Sequence, residues 1–268
     1  MISVVVPTRD RPEALARCLA ALARQRDAEL EIVVVDDSGR GGVTAPGARV
    51  VRAGGHGPAA ARNLGARAAR GDVVCFTDDD CVPAPDWARR LAAACAVGGA
   101  AAGTTIADPA AGPAAAAAQL LTNSLMLSTS TRDGATLSFA PTCNLACHAR
   151  ALRGLPFDES FRLAAGEDRE WCARIAAGGV PLHHVPEAVV VHRPELGLGG
   201  LVRQGLRYGR GAVGFRRSGG SLAGAGFYRR LARATAAAGP RTAACVALAQ
   251  VSVAAGAVLA VAEQRLAR

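Results

Sequence analysis

Short, continuous apolar runs alternate along the chain with stretches in which apolar residues recur at helical spacing. The runs predict strands buried on both faces, because a strand covered on one face would alternate apolar and polar residues. Helical spacing follows between the runs and predicts helices that pack on the strands. This rhythm is typical of a mostly parallel α/β sheet flanked by helices. The predicted strands cover 2–6, 31–35, 48–52 and 73–76, and the predicted helices cover 11–25 and 59–70.

Asp10 and Glu13, near the start of the chain, have the spacing of a capping box, so Asp10 is the predicted N-cap of the first helix.

The chain from residue 85 onward continues the α/β pattern less regularly. Later helices are predicted over 85–97, 114–127, 145–153 and 166–177, and later strands over 98–107, 135–140 and 185–191.

Two of the predicted strands end in acidic residues. Asp36 and Asp37 follow one strand, and Asp78, Asp79 and Asp80 follow another. In an open α/β sheet, ligands bind beyond the carboxyl ends of the strands, so both groups are expected at one site. Crowded carboxylates repel one another, and Mg²⁺ or Mn²⁺ would relieve that repulsion. The alternative is a solvated acidic turn that opens the next helix.

The basic residues are unevenly distributed. All 31 are Arg, and residues 193–241 carry ten of them against Glu195 alone, whereas residues 1–192 are close to neutral. The arginines do not alternate with aromatic residues as base-stacking surfaces do, which argues against a nucleic-acid partner. The eight cysteines form no CxxC pair, and the start of the chain reads as a strand and not as a signal peptide. We therefore expect reduced thiols and a catalytic domain that faces the cytoplasm.

A long apolar stretch follows the basic segment. As a helix, residues 242–262 would rise about 31 Å, which is roughly one hydrocarbon thickness. Because the stretch is rich in Ala, a buried or surface-lying helix is an equal alternative to a membrane span. The arginines before it favour contact with anionic lipid head groups. The predicted organisation is a domain over 1–192, a basic helical segment over 193–241 and an apolar helix over 242–262.

Six short motifs lie at 4–9, 33–38, 61–65, 76–80, 157–159 and 166–168. Each motif is weak alone, but the ordered set is specific and covers about residues 1–192. In this order the motifs resemble those of glycosyltransferase family 2. The resemblance implies a GT-A fold and transfer of a sugar from a nucleotide diphosphate sugar, with a UDP-sugar favoured. The acceptor would be a sugar or a lipid-linked hydroxyl.

The resemblance also implies a role for each matching residue. Asp168 would be the catalytic base, while Asp78, Asp80 and His192 would hold a divalent metal, Mn²⁺ or Mg²⁺. Asp36 is favoured slightly over Asp37 for contact with the nucleotide base. The implied donor-binding residues are Pro7, Thr8, Arg9, Asp36, Asp37, Arg62, Asp78 and Asp79.

Each of these residues also has a structural interpretation. Asp168 would be a charge that stabilises a helix N-terminus, Arg62 an exposed helix charge, and His192 an ordinary histidine at a strand end. Gln204-Gly205-Leu206-Arg207-Tyr208 resembles the Gln-x-x-Arg-Trp motif of processive polysaccharide synthases, with Tyr in place of Trp. Those enzymes need several membrane helices, so transfer of a single sugar is favoured here.

The predicted function is an inverting glycosyltransferase of cell-envelope glycan, glycolipid or polysaccharide synthesis, held at the cytoplasmic face of the membrane. A sugar nucleotidyltransferase is one alternative, although such enzymes carry a Gly-rich phosphate loop that residues 7–10 do not form. A non-catalytic nucleotide-sugar-binding membrane protein is the other.

Overall fold

A computed structural model describes residues 1–26, 29–39, 42–95, 99–221 and 223–266. Within them the chain forms one central sheet with helices on both faces. The strands are β1 (Ile2–Thr8), β2 (Leu30–Asp36), β3 (Arg49–Arg52), β4 (Val73–Phe76), β5 (Cys81–Pro83), β6 (Ala100–Ala107), β7 (Thr136–Leu137), β8 (Leu145–His148) and β9 (Leu182–His192). The helices are α1 (Pro12–Leu22), α2 (Pro58–Ala68), α3 (Trp87–Cys95), α4 (Gly112–Ser128), α5 (Ala149–Gly154), α6 (Glu167–Ala177), α7 (Leu198–Arg217), α8 (Ala225–Ala237) and α9 (Pro240–Leu266).

The sheet has a parallel part and a mixed part. β3, β2, β1 and β4 are parallel neighbours in that order. β8 then pairs antiparallel with both β4 and β6, and β9 runs parallel to β6. β5 and β7 pair antiparallel with β9. The parallel part confirms the α/β fold predicted from the apolar runs.

The strand β1 shows why the apolar runs are continuous. Its successive side chains point into opposite layers, and both layers are covered by helices. Val5 is fully buried in a cluster that also contains Trp171 of α6. Val4 and Val6 are fully buried in a second cluster, with Trp87 of α3. Burial on both faces removes the polar–apolar alternation of a one-sided strand.

The start of the first helix differs from the prediction. α1 begins at Pro12 with Arg11 at the N-cap, so the prediction of Asp10 as N-cap is wrong. Asp10 instead takes a left-handed conformation with φ 54°. This turn carries the chain from β1 into α1 and sends the Arg11 side chain towards the aspartates after β4.

Several later elements differ from the prediction in type or length. Residues 145–153 form the strand β8 followed by α5, not one helix, because a short apolar run does not separate strand from helix by period. The strand predicted over 135–140 shrinks to β7, and the strand β5 was not predicted at all. The predicted boundary between a helix and a strand at 97–98 lies outside the described residues.

The three C-terminal helices pack against α4. Their shared cluster buries Ala117 of α4, Leu201 of α7, Phe227 of α8 and Cys245 of α9. Where α7 crosses α9 the backbones are close, because a Cβ added to Gly209 would lie 2.1 Å from the carbonyl oxygen of Val253. The region after residue 192 is therefore joined to the α/β core by packing.

Among the described residues, α9 is the one helix long and apolar enough to cross a membrane, by length and composition alone. Its most apolar window has a mean hydropathy of 2.2, and 33% of that window is buried against the protein. The predicted helix over 242–262 lies inside α9.

Candidate active site

A cleft with a volume of about 830 Å³ opens at the carboxyl ends of β1 and β4. The loop around Leu163 and the helix α7 form parts of its wall. Among the described residues that line it, eight carry predicted site roles, whereas Asp36, Asp79 and Asp168 do not line it. Those eight are Pro7, Thr8, Arg9, Asp37, Arg62, Asp78, Asp80 and His192.

Asp79 is turned away from the cleft and ties two strand ends together. Its side chain is fully buried. The hydroxyl of Thr8 donates to Asp79 Oδ2 over 2.7 Å, and Arg11 Nη2 lies 2.5 Å from Asp79 Oδ1. Burial raises the pKa of Asp79 to about 6, against the opposing charge of Arg11. Asp79 therefore fixes the end of β1 to the turn after β4.

The two oxygens of Asp80 face different partners. Arg11 Nη1 donates to Asp80 Oδ2 over 2.7 Å, and His192 Nε2 lies 3.4 Å from Asp80 Oδ1. Burial would raise the pKa of Asp80, but the contacts with His192 and Arg11 outweigh it and lower that pKa to about 2. Burial would likewise lower the pKa of His192, yet Asp80 raises it to about 9. At neutral pH Asp80 is therefore ionised and His192 is protonated, and the two side chains form an ion pair at the end of β9.

A group of metal-ligating side chains surrounds this pair. Ligand atoms of Asp80, Cys81 and His192 all lie within 4.8 Å of one another. Oxygen, nitrogen and sulfur donors at this spacing fit a divalent cation. Asp78, which was predicted as a further ligand, lies outside this group and pairs with Arg62.

Arg62 joins two acidic segments that are far apart in the sequence. Its side chain is 5% exposed. Nη2 donates to Asp78 Oδ1 and Nη1 donates to Glu167 Oε1, and the donor–acceptor distance is 3.0 Å in both hydrogen bonds. Burial would lower the pKa of Arg62, but the charges of Asp78 and Glu167 outweigh it. A charge exposed on the helix surface, the structural alternative for Arg62, is excluded by this burial.

Asp168 lies at the start of α6, beside the buried Glu167. It is half-buried, and its Oδ1 accepts a hydrogen bond of 2.8 Å from the backbone N–H of Arg169. Burial, followed by the neighbouring charge of Glu167, raises the pKa of Asp168 to about 7. A carboxylate with this pKa can accept a proton at neutral pH.

Asp36 and Asp37 take different environments at the end of β2. Asp37 lines the cleft and accepts from the backbone N–H groups of Gly55 and Gly57, over 2.9 and 3.1 Å. Asp36 is buried, and its Oδ1 accepts from the backbone N–H of Ser38 over 2.9 Å. Asp37 therefore faces the cleft, whereas Asp36 does not line it.

Two of the sequence motifs meet through Asn63. Its Nδ2 donates to the carbonyl oxygen of Phe157 over 2.9 Å, and its Oδ1 accepts from the Phe157 N–H over 2.8 Å. The Phe157 ring stacks on Trp171 of α6 with ring centroids 5.0 Å apart. This contact fixes the loop before α6 and hence the position of Asp168.

Sequence reasoning missed three residues of the site. Arg11 contacts Asp79 and Asp80, Cys81 lies in the metal-ligating group, and Glu167 holds Arg62. Glu167 stands inside one of the six motifs, which was a usable signal, but nothing in the sequence around Arg11 or Cys81 indicates their partners.

The architecture is that of the GT-A glycosyltransferases. The mannosyltransferase PcManGT from Pyrobaculum calidifontis, solved with GDP-Man and Mn²⁺, has a TM-score of 0.56 at 21% identity. That likeness covers 99% of this chain and 80% of PcManGT. S. aureus TarS has a TM-score of 0.56 at 15% identity, covering 96% of this chain and 54% of TarS. At these identities the likeness shows the fold alone.

The family model described as "Glycosyl transferase family 2" matches residues 3–152, which is more than half of the chain. The chain belongs to glycosyltransferase family 2.

Curated relatives carry the same kind of name. A "Pre-mycofactocin glycosyltransferase" of Mycobacterium tuberculosis is 29% identical over 230 residues, 79% of this chain and 47% of that protein. "Glycosyltransferase AglE" of Haloferax volcanii is 24% identical over 228 residues, 79% of this chain and 73% of AglE. The chain thus spans less than half of the mycobacterial relative.

Proposed function

We propose that the chain transfers a sugar from a nucleotide diphosphate sugar to an acceptor hydroxyl, with inversion at the anomeric carbon. The observation that carries the proposal is the buried guanidinium of Arg62, which bridges Asp78 to Glu167 beside Asp168. The acidic edge of the sheet and the candidate base therefore belong to one connected site. A UDP-sugar is the favoured donor.

The donor would lie along the strand ends that line the cleft. Pro7, Thr8 and Arg9 would flank the nucleotide, and Asp37 or Asp36 would contact its base. Asp79 would act indirectly, because it is buried and holds Thr8 in place. Support comes from the shared cleft lining of these residues, apart from Asp36 and Asp79.

Asp80 and His192 would hold a divalent cation such as Mn²⁺ or Mg²⁺, while Asp78, which lies outside their group and pairs with Arg62, would face the donor. A bound cation supplies charge neutralisation at the departing diphosphate. The presence of Mn²⁺ in the related PcManGT structure supports this assignment. Arg11 and Arg62 would position the acidic side chains, since each donates to one of them.

Asp168 would remove the proton of the acceptor hydroxyl as that oxygen attacks the anomeric carbon. A carboxylate at hydrogen-bond distance from the hydroxyl is a suitable general base, and the pKa of Asp168 near neutrality favours that role. One base and direct attack by the acceptor imply a single displacement, which inverts the anomeric configuration.

The deciding experiment measures donor binding and turnover across UDP-, GDP- and dTDP-sugars, with and without Mn²⁺ or Mg²⁺. We expect Asp168→Asn to bind the donor normally and to lose turnover by roughly 100-fold or more. Asp80→Asn is expected to lose the metal-dependent part of binding. NMR of the product would show the inverted anomer.

Other outcomes would reject the proposal in favour of a named rival. Release of pyrophosphate from a nucleoside triphosphate would indicate a sugar nucleotidyltransferase. Donor binding without turnover under all conditions would indicate a non-catalytic nucleotide-sugar-binding protein. A retained anomeric configuration would contradict the single displacement.

We further propose that α9 contacts an anionic membrane surface, with the catalytic domain on the cytoplasmic side. One face of α9 packs on the protein, while the exposed positions between residues 244 and 262 are all Ala, Val or Leu. Those exposed residues include Ala247, Val251, Ala254, Ala255, Val258, Leu259 and Ala262. The Arg excess of the preceding segment favours a lipid bilayer over a protein partner. A lipid-linked acceptor of cell-envelope synthesis would be met there.

Vesicle flotation tests this proposal. The protein is expected to float with anionic phosphatidylglycerol vesicles and less with pure phosphatidylcholine vesicles. Val251→Glu with Val258→Glu should abolish flotation, because both residues are 68% exposed on the apolar face. Ile106→Glu, a 44% exposed site on β6, is the matched control. A protein that stays in solution with both vesicle types would overturn the proposal.

A further inference from the structure

We propose that Cys81 is a third protein ligand of the cation at Asp80 and His192, and that its thiolate makes the site prefer Zn²⁺ or Co²⁺ to Mg²⁺. The inference concerns an edge of the same cleft as the proposed function, but it requires only metal binding and no sugar transfer.

The spacing of the three ligand atoms supports a tetrahedral ion. Asp80 Oδ1 lies 3.4 Å from His192 Nε2 and 4.0 Å from Cys81 Sγ. Ligand bonds of about 2.0–2.3 Å at tetrahedral angles put neighbouring donor atoms roughly 3.3–3.6 Å apart. Since all three atoms lie within 4.8 Å of one another, small side-chain shifts complete the geometry.

Asp80 and His192 are each oriented by a further hydrogen-bonding partner. Arg11 donates to Asp80 Oδ2, so Oδ1 is the oxygen that faces His192 and Cys81. His192 Nδ1 lies 2.9 Å from Gln119 Oε1. Because that amide oxygen can only accept, Nδ1 carries the hydrogen and Nε2 is the atom that faces the group. A metal-binding histidine almost always donates its other N–H in this way.

The amide of Gln119 is itself oriented by a chain of hydrogen bonds. Gln119 Nε2 donates to Asn123 Oδ1 over 2.8 Å, and Asn123 Nδ2 donates to the backbone carbonyl of Thr105 over 2.8 Å. The carbonyl end of this chain fixes both amide orientations, since a backbone oxygen accepts only. The chain therefore holds His192 in the orientation that a metal ligand needs.

The donor set determines which ions fit. Thiolate and imidazole favour Zn²⁺ and Co²⁺, whereas Mg²⁺ and Mn²⁺ prefer oxygen ligands. On binding, a divalent cation replaces the thiol proton of Cys81 and the Nε2 proton of His192, and both protons pass to solvent. Asp80 and His192 line the cleft. Three protein ligands with a fourth position open to the cleft match the pattern of catalytic zinc sites.

Titration of the chelator-treated protein with Co²⁺ tests the proposal by absorption spectroscopy, without nucleotide. We expect one equivalent of Co²⁺ to produce a thiolate-to-cobalt charge-transfer band in the near ultraviolet. Zn²⁺ should displace it, while Mg²⁺ in about 100-fold excess should not. Cys81→Ser should lose the band. Two other buried thiols serve as controls that should keep the band: Cys143→Ser, whose thiol is hydrogen-bonded to that of Cys81, and Cys245→Ser on α9.

Gln119→Ala tests the orienting chain. The band should persist at saturation, but the affinity for Co²⁺ should fall by about 10–100-fold. Unchanged affinity would remove Gln119 from the proposal. The wild-type spectrum decides the main point even if Cys81→Ser does not fold, because Co²⁺ binding without a thiolate band excludes Cys81 as a ligand. Sugar transfer with Mn²⁺ in a protein that lacks the band would reject this inference and leave the proposed function standing.

Discussion

Arg62 places a full positive charge in the interior, between two carboxylates that the sequence separates widely. The free energy of such a buried arrangement depends on every partner being present. Removal of one partner leaves an uncompensated buried charge, which costs much more than the loss of an exposed ion pair.

Arg62→Leu is therefore expected to lower the free energy of unfolding by about 3–5 kcal/mol, because Glu167 would remain buried and unpaired. Urea denaturation measures the change. Arg67→Leu is the matched control on the same helix, since Arg67 is exposed and lies 3.9 Å from Glu159. Its effect should stay within about 0.5 kcal/mol. Equal effects of the two substitutions would contradict the assigned burial.

The raised pKa of Asp168 predicts a pH dependence. An acid whose pKa in the folded protein is about 7 is protonated below that pH and is a base above it. We expect kcat/KM to rise with pH through about 7 and then to level off. In Glu167→Gln the rise should move to lower pH, because the like charge that raises the pKa of Asp168 is removed. A profile that does not move would show that Glu167 has no such effect on the base.

At the scale of elements, the crossing of α7 and α9 depends on missing side chains. A Cβ on Gly209 would lie 2.1 Å from the Val253 carbonyl oxygen, and one on Gly256 would lie 2.2 Å from that of Leu206. Real Cβ atoms are not found so close to backbone, so any larger residue must push the helices apart.

Gly209→Ala is expected to lower the melting temperature by several degrees, as overpacking costs about 1–3 kcal/mol. Gly199→Ala in the same helix is the matched control. Its added Cβ would meet only the end of Arg203, at 3.6 Å, so the gain in helix propensity should leave stability unchanged or raise it by up to about 1 kcal/mol. A Gly209→Ala protein as stable as the control would show that the helices separate freely.

Some of the strands could be predicted from the sequence alone, and others could not. Strands such as β1, β2 and β4 were predictable because each contains an apolar run that ends at a proline or at polar residues, which is typical of a buried strand. β5 and β8 were not predictable, because Cys81–Pro83 includes a proline and Leu145–His148 continues into a helix without a boundary residue. Their strand character comes from pairing with β9, β4 and β6.

The same distinction holds for the candidate site. The motifs identified most of the cleft-lining side chains, since each motif is local in sequence. Arg11, Cys81 and Gln119 gain their meaning from partners that lie far along the chain or across the sheet, and no local pattern records those partners.

At the scale of the whole molecule, the C-terminal helices pack beside the α/β core, and one of them, α7, also forms part of the cleft wall. Gln204, Arg207 and Tyr208 of α7 line the cleft opposite the acidic residues, and they belong to the stretch that resembles the Gln-x-x-Arg-Trp motif. The basic excess after residue 192 therefore reaches the site through α7 and does not serve only the outer surface.

Arg207→Ala should raise the KM or Kd for a phosphate-bearing substrate by roughly tenfold, the effect of one hydrogen bond to a charged group. Arg203→Ala is the control, because Arg203 is exposed on the same helix and is not among the described residues that line the cleft. Steady-state kinetics with both variants measures the difference. Equal effects would indicate a general charge effect and not a contact made by Arg207.

The ion pair of Asp80 with His192 has a consequence for how the molecule folds. Asp80 lies in the turn after β4, whereas His192 ends the last strand, so their contact requires β9 to pair with β5 and to join the sheet beside β6. Contacts between residues this far apart in sequence form late in folding, because closing the long loop between them costs entropy before the contact stabilises the fold. The proposed cation site would therefore form only in a late step of refolding, and the rise of Co²⁺ binding after the parallel strands have formed would report that step.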